Sequence, residues 1–292
     1  MHVPVLLREA LEWLRVRPEG TYIDATLGAG GHAAEILQRL GPGRLLGIDR
    51  DPAALEVARE RLRDFGEKLS VREGNFGEID ALHAASGLPP ADGVLADLGV
   101  SSLQLADAAR GFSFNLPGPL DMRMDPQTRT TAADLVNRTS ERELADLIFT
   151  LGEERHSRRI ARAIVKARSI RTTTELAQVV TRAIPSRAGL LHLHPATRTF
   201  LALRLAVNQE LENLAAFLTK AWAVLAPEGR LVIISFHSLE DRLVKQAFLK
   251  YQQAGRGRIL TRKVIRPSEA ERRANPRARS AKLRAAEKSL DY

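Results

Sequence analysis

The 292 residues are 44% hydrophobic and 27% charged and include no cysteine, which excludes disulfides, thiolate metal sites and a cysteine nucleophile. No apolar run approaches the roughly 18 residues of a membrane span, and the N-terminus lacks an export signal, so the expected location is the cytoplasm. The formal charge of +9 sits in residues 250–292, where 13 Lys/Arg face four Asp/Glu. Such a segment suits a polyanion, nucleic acid in particular, or is a solvated tail.

In chain order, short apolar runs predict strands at Thr21–Ala25, Arg44–Asp49, Leu69–Glu73 and Gly93–Asp97, with helices at His32–Leu40 and Pro52–Asp64. Strand and helix alternating with short links predict a doubly wound α/β parallel sheet. The rhythm then breaks. A Gly/Pro-rich loop at Gly111–Pro126 precedes helical patterns at Glu141–Thr150, Ser157–Ser169 and Thr174–Ile184, with no strand among them. A helical run, Arg198–Leu225, leads through Pro227-Glu228-Gly229 to a strand at Arg230–Phe236 and a helix at Ser238–Tyr251. Ile259–Ile265 and Ala281–Glu287 are expected to pair as closing strands. The expected organisation is a core in two parts, 1–104 and 198–292, the second carrying the basic segment, around an inserted helical domain at 105–197.

Asp24-Ala25-Thr26-Leu27-Gly28-Ala29-Gly30-Gly31-His32 is a strand ending in an acid, a glycine turn and a helix start. Glycine lets the backbone turn sharply and approach a ligand, and a helix N-terminus attracts a carboxylate. From Gly28 to Ala33 the pattern also fits a dinucleotide site, so S-adenosylmethionine and NAD both remain open on this motif. Asp49, 21 residues after Gly28, can accept from two ribose hydroxyls or cap the helix at Pro52. Phe76 follows the third strand and can cover adenine or join the core. Asp97 ends the fourth, where ligands bind such sheets. The four strand ends in series favour a class I methyltransferase.

Further blocks are distinctive: Asp97-Leu-Gly-Val-Ser-Ser-Leu-Gln104, Arg110-Gly-Phe-Ser-Phe114, Gly118-Pro-Leu-Asp-Met-Arg-Met124, Ser235-Phe-His-Ser-Leu-Glu-Asp-Arg242 and Asn275-Pro-Arg-Ala-Arg-Ser-Ala-Lys-Leu-Arg284. With the opening His2-Val-Pro-Val-Leu-Leu7, they closely resemble the MraW family of ribosomal RNA small-subunit methyltransferases over nearly the whole chain. The resemblance implies a class I, Rossmann-like methyltransferase with an inserted helical domain for substrate recognition. It implies S-adenosyl-L-methionine as cofactor and N4 methylation of a cytidine in the decoding region of 16S ribosomal RNA. The implied partner is 16S ribosomal RNA or the small ribosomal subunit; no metal-binding residues, membrane association or obligate protein partner are read from the sequence. The implied cofactor contacts are Gly30, Gly31, His32, Asp49, Phe76, Asp97 and Gln104. Leu103 stands where the family usually has proline and Ala106 where it usually has aspartate, both beside Gln104.

Methylation at carbon 5 of cytosine needs a thiolate, which this chain lacks. An exocyclic amine needs only in-line alignment with the methyl donor and an acceptor for its N–H, and Asp97 is the candidate catalytic acceptor. Phe112 and Phe114 can hold an unstacked base or pack their loop onto the core. His237 and Ser235 receive no role. The competing readings are an NAD-dependent dehydrogenase, a non-catalytic RNA-binding factor, and methyl transfer to a protein or small molecule.

Overall fold

The computed structural model describes residues 4–184 and 194–290. His2 and Val3 of the opening motif lie outside the described residues. The chain divides into two compact units, Met1–Gly99 with Leu211–Tyr292, and Val100–Glu210.

The first unit is a seven-stranded sheet: β1 (Thr21–Asp24), β2 (Arg44–Asp49), β3 (Leu69–Glu73), β4 (Ala91–Asp97), β5 (Leu225–Ser235), β6 (Gly257–Ile259) and β7 (Lys282–Lys288). The spatial order is β3-β2-β1-β4-β5-β7-β6, and β7 runs opposite to the other six strands. This is the doubly wound, mostly parallel α/β sheet that the alternating strand and helix pattern predicts. Its central strands are buried on both faces, so they read as continuous apolar runs. Side chains of α1 (Leu7–Leu14), α2 (Gly31–Arg39) and α3 (Pro52–Leu62) join one apolar layer. Those of α4 (Ile79–Ser86), α11 (Glu210–Val224) and α12 (Ser238–Gln253) join the other.

Two elements differ from the sequence reading. β5 begins at Leu225 rather than Arg230: its register against β4 jumps from Ala91↔Leu225 to Gly93↔Arg230, and the bulge holds Pro227, which has no N–H to donate. The strand expected at 259–265 is only Gly257–Ile259. Buried Thr261 instead bonds alongside β7, its Oγ1 accepting from Ala285 N at 2.9 Å, and the chain returns for a single bridge, Ile265↔Leu283.

The second unit contains α5 (Ser102–Ala106), α6 (Ala132–Arg138), α7 (Glu141–Gly152), α8 (Ser157–Lys166), α9 (Thr173–Ala183) and α10 (Thr197–Asn208). Thr131, Ser140 and Thr172 close capping boxes on α6, α7 and α9, each satisfying two otherwise orphaned backbone donors. The unit takes in more than 105–197 because α10 packs on α7 and Asn208 ties it to the loop, donating to Met122 O and accepting from Met124 N at 2.8 Å each. The helical run read as continuous from Arg198 breaks at Gln209, whose φ of 49° is left-handed. Among the described residues no helix is long and apolar enough to cross a membrane.

Candidate active site

Three neighbouring parallel strands each end on an aspartate at the same edge of the first unit's sheet: Asp24 on β1, Asp49 on β2 and Asp97 on β4. The glycine loop after β1 is laced to both neighbours, Ala25 N donating to Leu95 O and Leu27 N to Ile48 O, both at 2.8 Å. Gly28 (φ 51°) then turns left-handed and donates its N–H to Asp49 Oδ2 at 2.8 Å. Gly30 (φ 75°) opens α2, and a Cβ there would lie 2.8 Å from Leu62 Cδ1. At Gly31 it would lie 2.6 Å from Pro4 Cγ. These glycines are therefore demanded by the chain's own packing as well as by any ligand.

Asp49 is half-buried, and Asp51 N donates to its Oδ1 at 2.9 Å. The cap of α3 is Asp51, which accepts from Ala53 N, so the helix-capping alternative for Asp49 does not hold. Burial raises the Asp49 carboxyl above its ordinary pKa, against the lowering effect of its two backbone donors. His32 is buried, with Nε2 3.1 Å from Val5 O. A carbonyl only accepts, so Nε2 is the donor in that contact, and Nδ1 lies 3.8 Å from Asp97 Oδ2.

Asp97 is fixed through its backbone, its N–H donating to Thr26 Oγ1 at 2.6 Å. Its Oδ1 is buried and has no hydrogen-bond partner among the described residues. Burial, then the charges of Asp24 and Glu240, raise its pKa well above the usual carboxylate range. Sequence reasoning assigned no role to Asp24, although the acid closing the first strand just before the glycine turn was the available signal. Asp24 is 2% exposed, accepts only a 3.2 Å bond from Thr26 N, and is pushed up to about 7 by burial and then by Asp49.

Phe76 stands at the end of β3, partly buried and edge-on to Phe217 at 5.1 Å. Glu240, also unassigned from sequence, is buried at the start of α12 and accepts from Phe236 N at 2.9 Å. His237 is the N-cap of that helix, in keeping with a structural role.

Gln104 belongs to the second unit. It is buried at the start of α5, where its Oε1 accepts from Ser101 N at 3.0 Å and Ser101 Oγ accepts from Gln104 N at 3.2 Å. Phe112 and Phe114 serve that unit's core. Phe112 is buried, and Phe114 stacks on His194 at 4.5 Å and meets Phe200 edge-on at 5.1 Å. Phe112 is thus core, whereas Phe114 is only partly buried.

An edge carrying three carboxylates, each with its pKa raised by burial and Asp24 and Asp97 raised further by neighbouring acids, is short of positive charge. The sequence pattern of the MraW methylase family matches residues 1–289. The chain belongs to the MraW methylase family. Curated relatives agree along their length. The chain is 52% identical to the protein named ribosomal RNA small subunit methyltransferase H of Koribacter versatilis, over 98% of this chain and 93% of that one. It is 53% identical to the protein of that name from Acidobacterium capsulatum, over 98% of both. The cofactor of this MraW methylase is S-adenosylmethionine, and the residues fit it: the orphaned Asp97 Oδ1 and the acids beside it suit a ligand bearing a sulfonium and an ammonium group.

Proposed function

We propose that the chain transfers the methyl group of S-adenosylmethionine to the N4 amino group of a cytidine in the decoding region of 16S ribosomal RNA, on the isolated RNA or within the small subunit. The RNA class follows from the near-complete alignment at about half identity with relatives named ribosomal RNA small subunit methyltransferase H. The observation that carries the N4 chemistry is Asp97, a backbone-anchored aspartate whose Oδ1 is buried and unengaged.

In this reading Asp49 accepts from the ribose hydroxyls, Phe76 lies against adenine, and Gly30, Gly31 and His32 form the α2 entrance that receives the carboxylate end. Gln104 is the remaining contact of the set. The cofactor, when bound, supplies an electrophilic methyl group. The cytosine amino lone pair is delocalised into the ring, so it attacks poorly until an acceptor takes one N–H. Asp97 is that acceptor, and Asp pairs naturally with a cytosine N4 donor. A nearby cation favours the ionised carboxylate that this role needs. Holding the nitrogen in line at about 3–3.5 Å from the methyl carbon is the remainder of the task.

The test is a methylation reaction on transcribed 16S RNA and on small subunits from cells lacking the activity, followed by nucleoside digestion and mass spectrometry. N4-methylcytidine is expected. Only 5-methylcytidine, only 2′-O-methylcytidine, or no methylated cytidine would refute the reading.

A further inference from the structure

The near-neutral charge of the chain before residue 250 conceals a concentration in the helical unit. Residues 155–171 hold seven Lys/Arg and no Asp/Glu. Arg168 is used internally, donating to Val136 O at 3.0 Å, and Arg155 contacts His156. Arg158, Arg159, Arg162 and Lys166 on α8 are exposed. At 100° per residue these four fall within about 100° of arc and span about 12 Å. The opposite side of α8, Ser157, Ile160, Ala161 and Ile164, is buried, so the helix cannot rotate its charges away.

This stripe opposes the stability of its own helix. Arg158 with Arg162, and Arg162 with Lys166, are like-charge pairs at i,i+4, and Arg158 and Arg159 put positive charge in the first turn, where the helix dipole favours acids. α6, α7 and α9 each carry an acid in that turn. Among the described residues, Arg162 alone of the four is paired with an acid, Glu141 at 3.4 Å, in an exposed pair of little energetic weight. A solvated face has no need of such a one-signed arrangement, whereas a polyanion relieves it. On α7, which packs on α8, Phe149 is 60% exposed near the end where α8 begins. A cationic stripe with an open aromatic beside it is the pattern of a single-stranded nucleic-acid surface.

We propose that the α8 stripe is an RNA phosphate-binding surface, separate from the basic C-terminal segment, with Phe149 as a base-stacking contact. This rests on the reading of the protein as an RNA methylase. Arg158→Gln, Arg159→Gln, Arg162→Gln and Lys166→Gln together should preserve folding, because they remove like-charge repulsion, and should leave S-adenosylmethionine affinity unchanged. The slope of log affinity for transcribed 16S RNA against log salt should fall by at least about 1.4, two phosphates at roughly 0.7 each. The corresponding Arg→Lys variant should keep the wild-type slope. Phe149→Ala should weaken binding about fivefold or more with the slope unchanged. A steep wild-type slope that the four Gln substitutions leave intact overturns the α8 proposal alone. A wild-type protein that neither binds nor methylates RNA overturns the functional reading, and this proposal with it.

Discussion

Glu271 accepts a hydrogen bond from the backbone N–H of Leu6 at 2.7 Å, across 265 residues of sequence. Leu6 is left-handed (φ 51°), Val5 O faces His32 Nε2, and Pro4 lies against Gly31. A residue of α13 (Glu269–Ala274), inside the basic segment, thus clasps the N-terminal turn that backs the glycine loop.

Glu271→Ala should therefore destabilise the protein by about 1–2 kcal/mol, the scale of a half-buried bond to a charged acceptor, and should weaken cofactor binding. Glu271→Gln, which still offers an acceptor, should retain most of both. Urea unfolding and calorimetry check this: unchanged midpoint and affinity in the Ala variant would show the clasp to be idle.

Asp49→Asn should weaken S-adenosylmethionine binding by roughly 1.5–3 kcal/mol while the fold persists. Asp49→Ala should in addition lower stability by about 1–3 kcal/mol, because the N–H groups of Gly28 and Asp51 lose their acceptor. Equal cofactor affinity in folded wild type and Asn variant would remove Asp49 from the site.

Asp97→Asn keeps the shape but adds a donor where only acceptors serve. Turnover should fall by much more than cofactor affinity. Should the two fall by one common factor, Asp97 holds the cofactor and takes no part in the transfer.

The pH dependence follows from Asp24 and Asp97. Asp24 rises from an ordinary 3.8 to about 7, through burial first and then Asp49; Asp97 is raised by burial, then by Asp24 and Glu240. Between those limits the folded chain holds protons that the unfolded chain has released, so stability falls as pH rises through the window. Carboxylates held low, such as Asp241 beside Arg284 and Lys282 despite its burial, act the other way, and only below the usual carboxylate range. The unliganded protein should lose on the order of a few kcal/mol across the window, and Asp24→Asn should flatten that limb. Cofactor affinity should rise over the same interval with release of protons, which calorimetry in buffers of different ionisation enthalpy detects. A flat stability profile would contradict the assignment.

In the C-terminal segment Arg284 and Lys282 are committed to Asp241 in half-buried pairs, whereas Arg272, Arg273, Arg277 and Arg279 are exposed, Arg273 alone of the four meeting an acid, Glu269, in a solvent-exposed pair among the described residues. Neutralising these four should reduce the RNA salt slope by about 0.7–0.9 for each phosphate they would otherwise neutralise, and leave cofactor affinity unaltered. An unaltered slope would identify the segment as a solvated tail.

The centre of the sheet was legible because buried parallel strands announce themselves as apolar runs, and β2 falls where the pattern put it. The bulge at Pro227 and the truncated β6 depend on pairing partners far along the chain, which local pattern does not encode. At the site, residue types and strand ends were readable, whereas the cap of α3 proved to be Asp51, two residues beyond Asp49, a distinction that needed coordinates. Glu271 offered no signal, since nothing local links an exposed acidic helix turn to Leu6. The boundary of the helical unit has a practical outcome. Removing residues 127–197 would strip α7 from α10 and expose Phe200, Leu203 and Val207, so an excision has to span Val100–Glu210.

The neighbouring strands β4 and β5 bracket the whole helical unit in sequence. Closing so long a loop costs the finished protein little, since each doubling of length adds only about 0.6 kcal/mol. The burden falls on the time course of synthesis. As the chain leaves the ribosome, β1 to β4 emerge first, and the apolar edge of β4 stays open until all of Val100–Glu210 has followed and β5 arrives. An unpaired edge of that kind invites association with other chains. Prompt folding of the helical unit by itself shortens the effective gap, so substitutions in its core should depress the yield of soluble protein even where they leave the methyl-transfer site untouched.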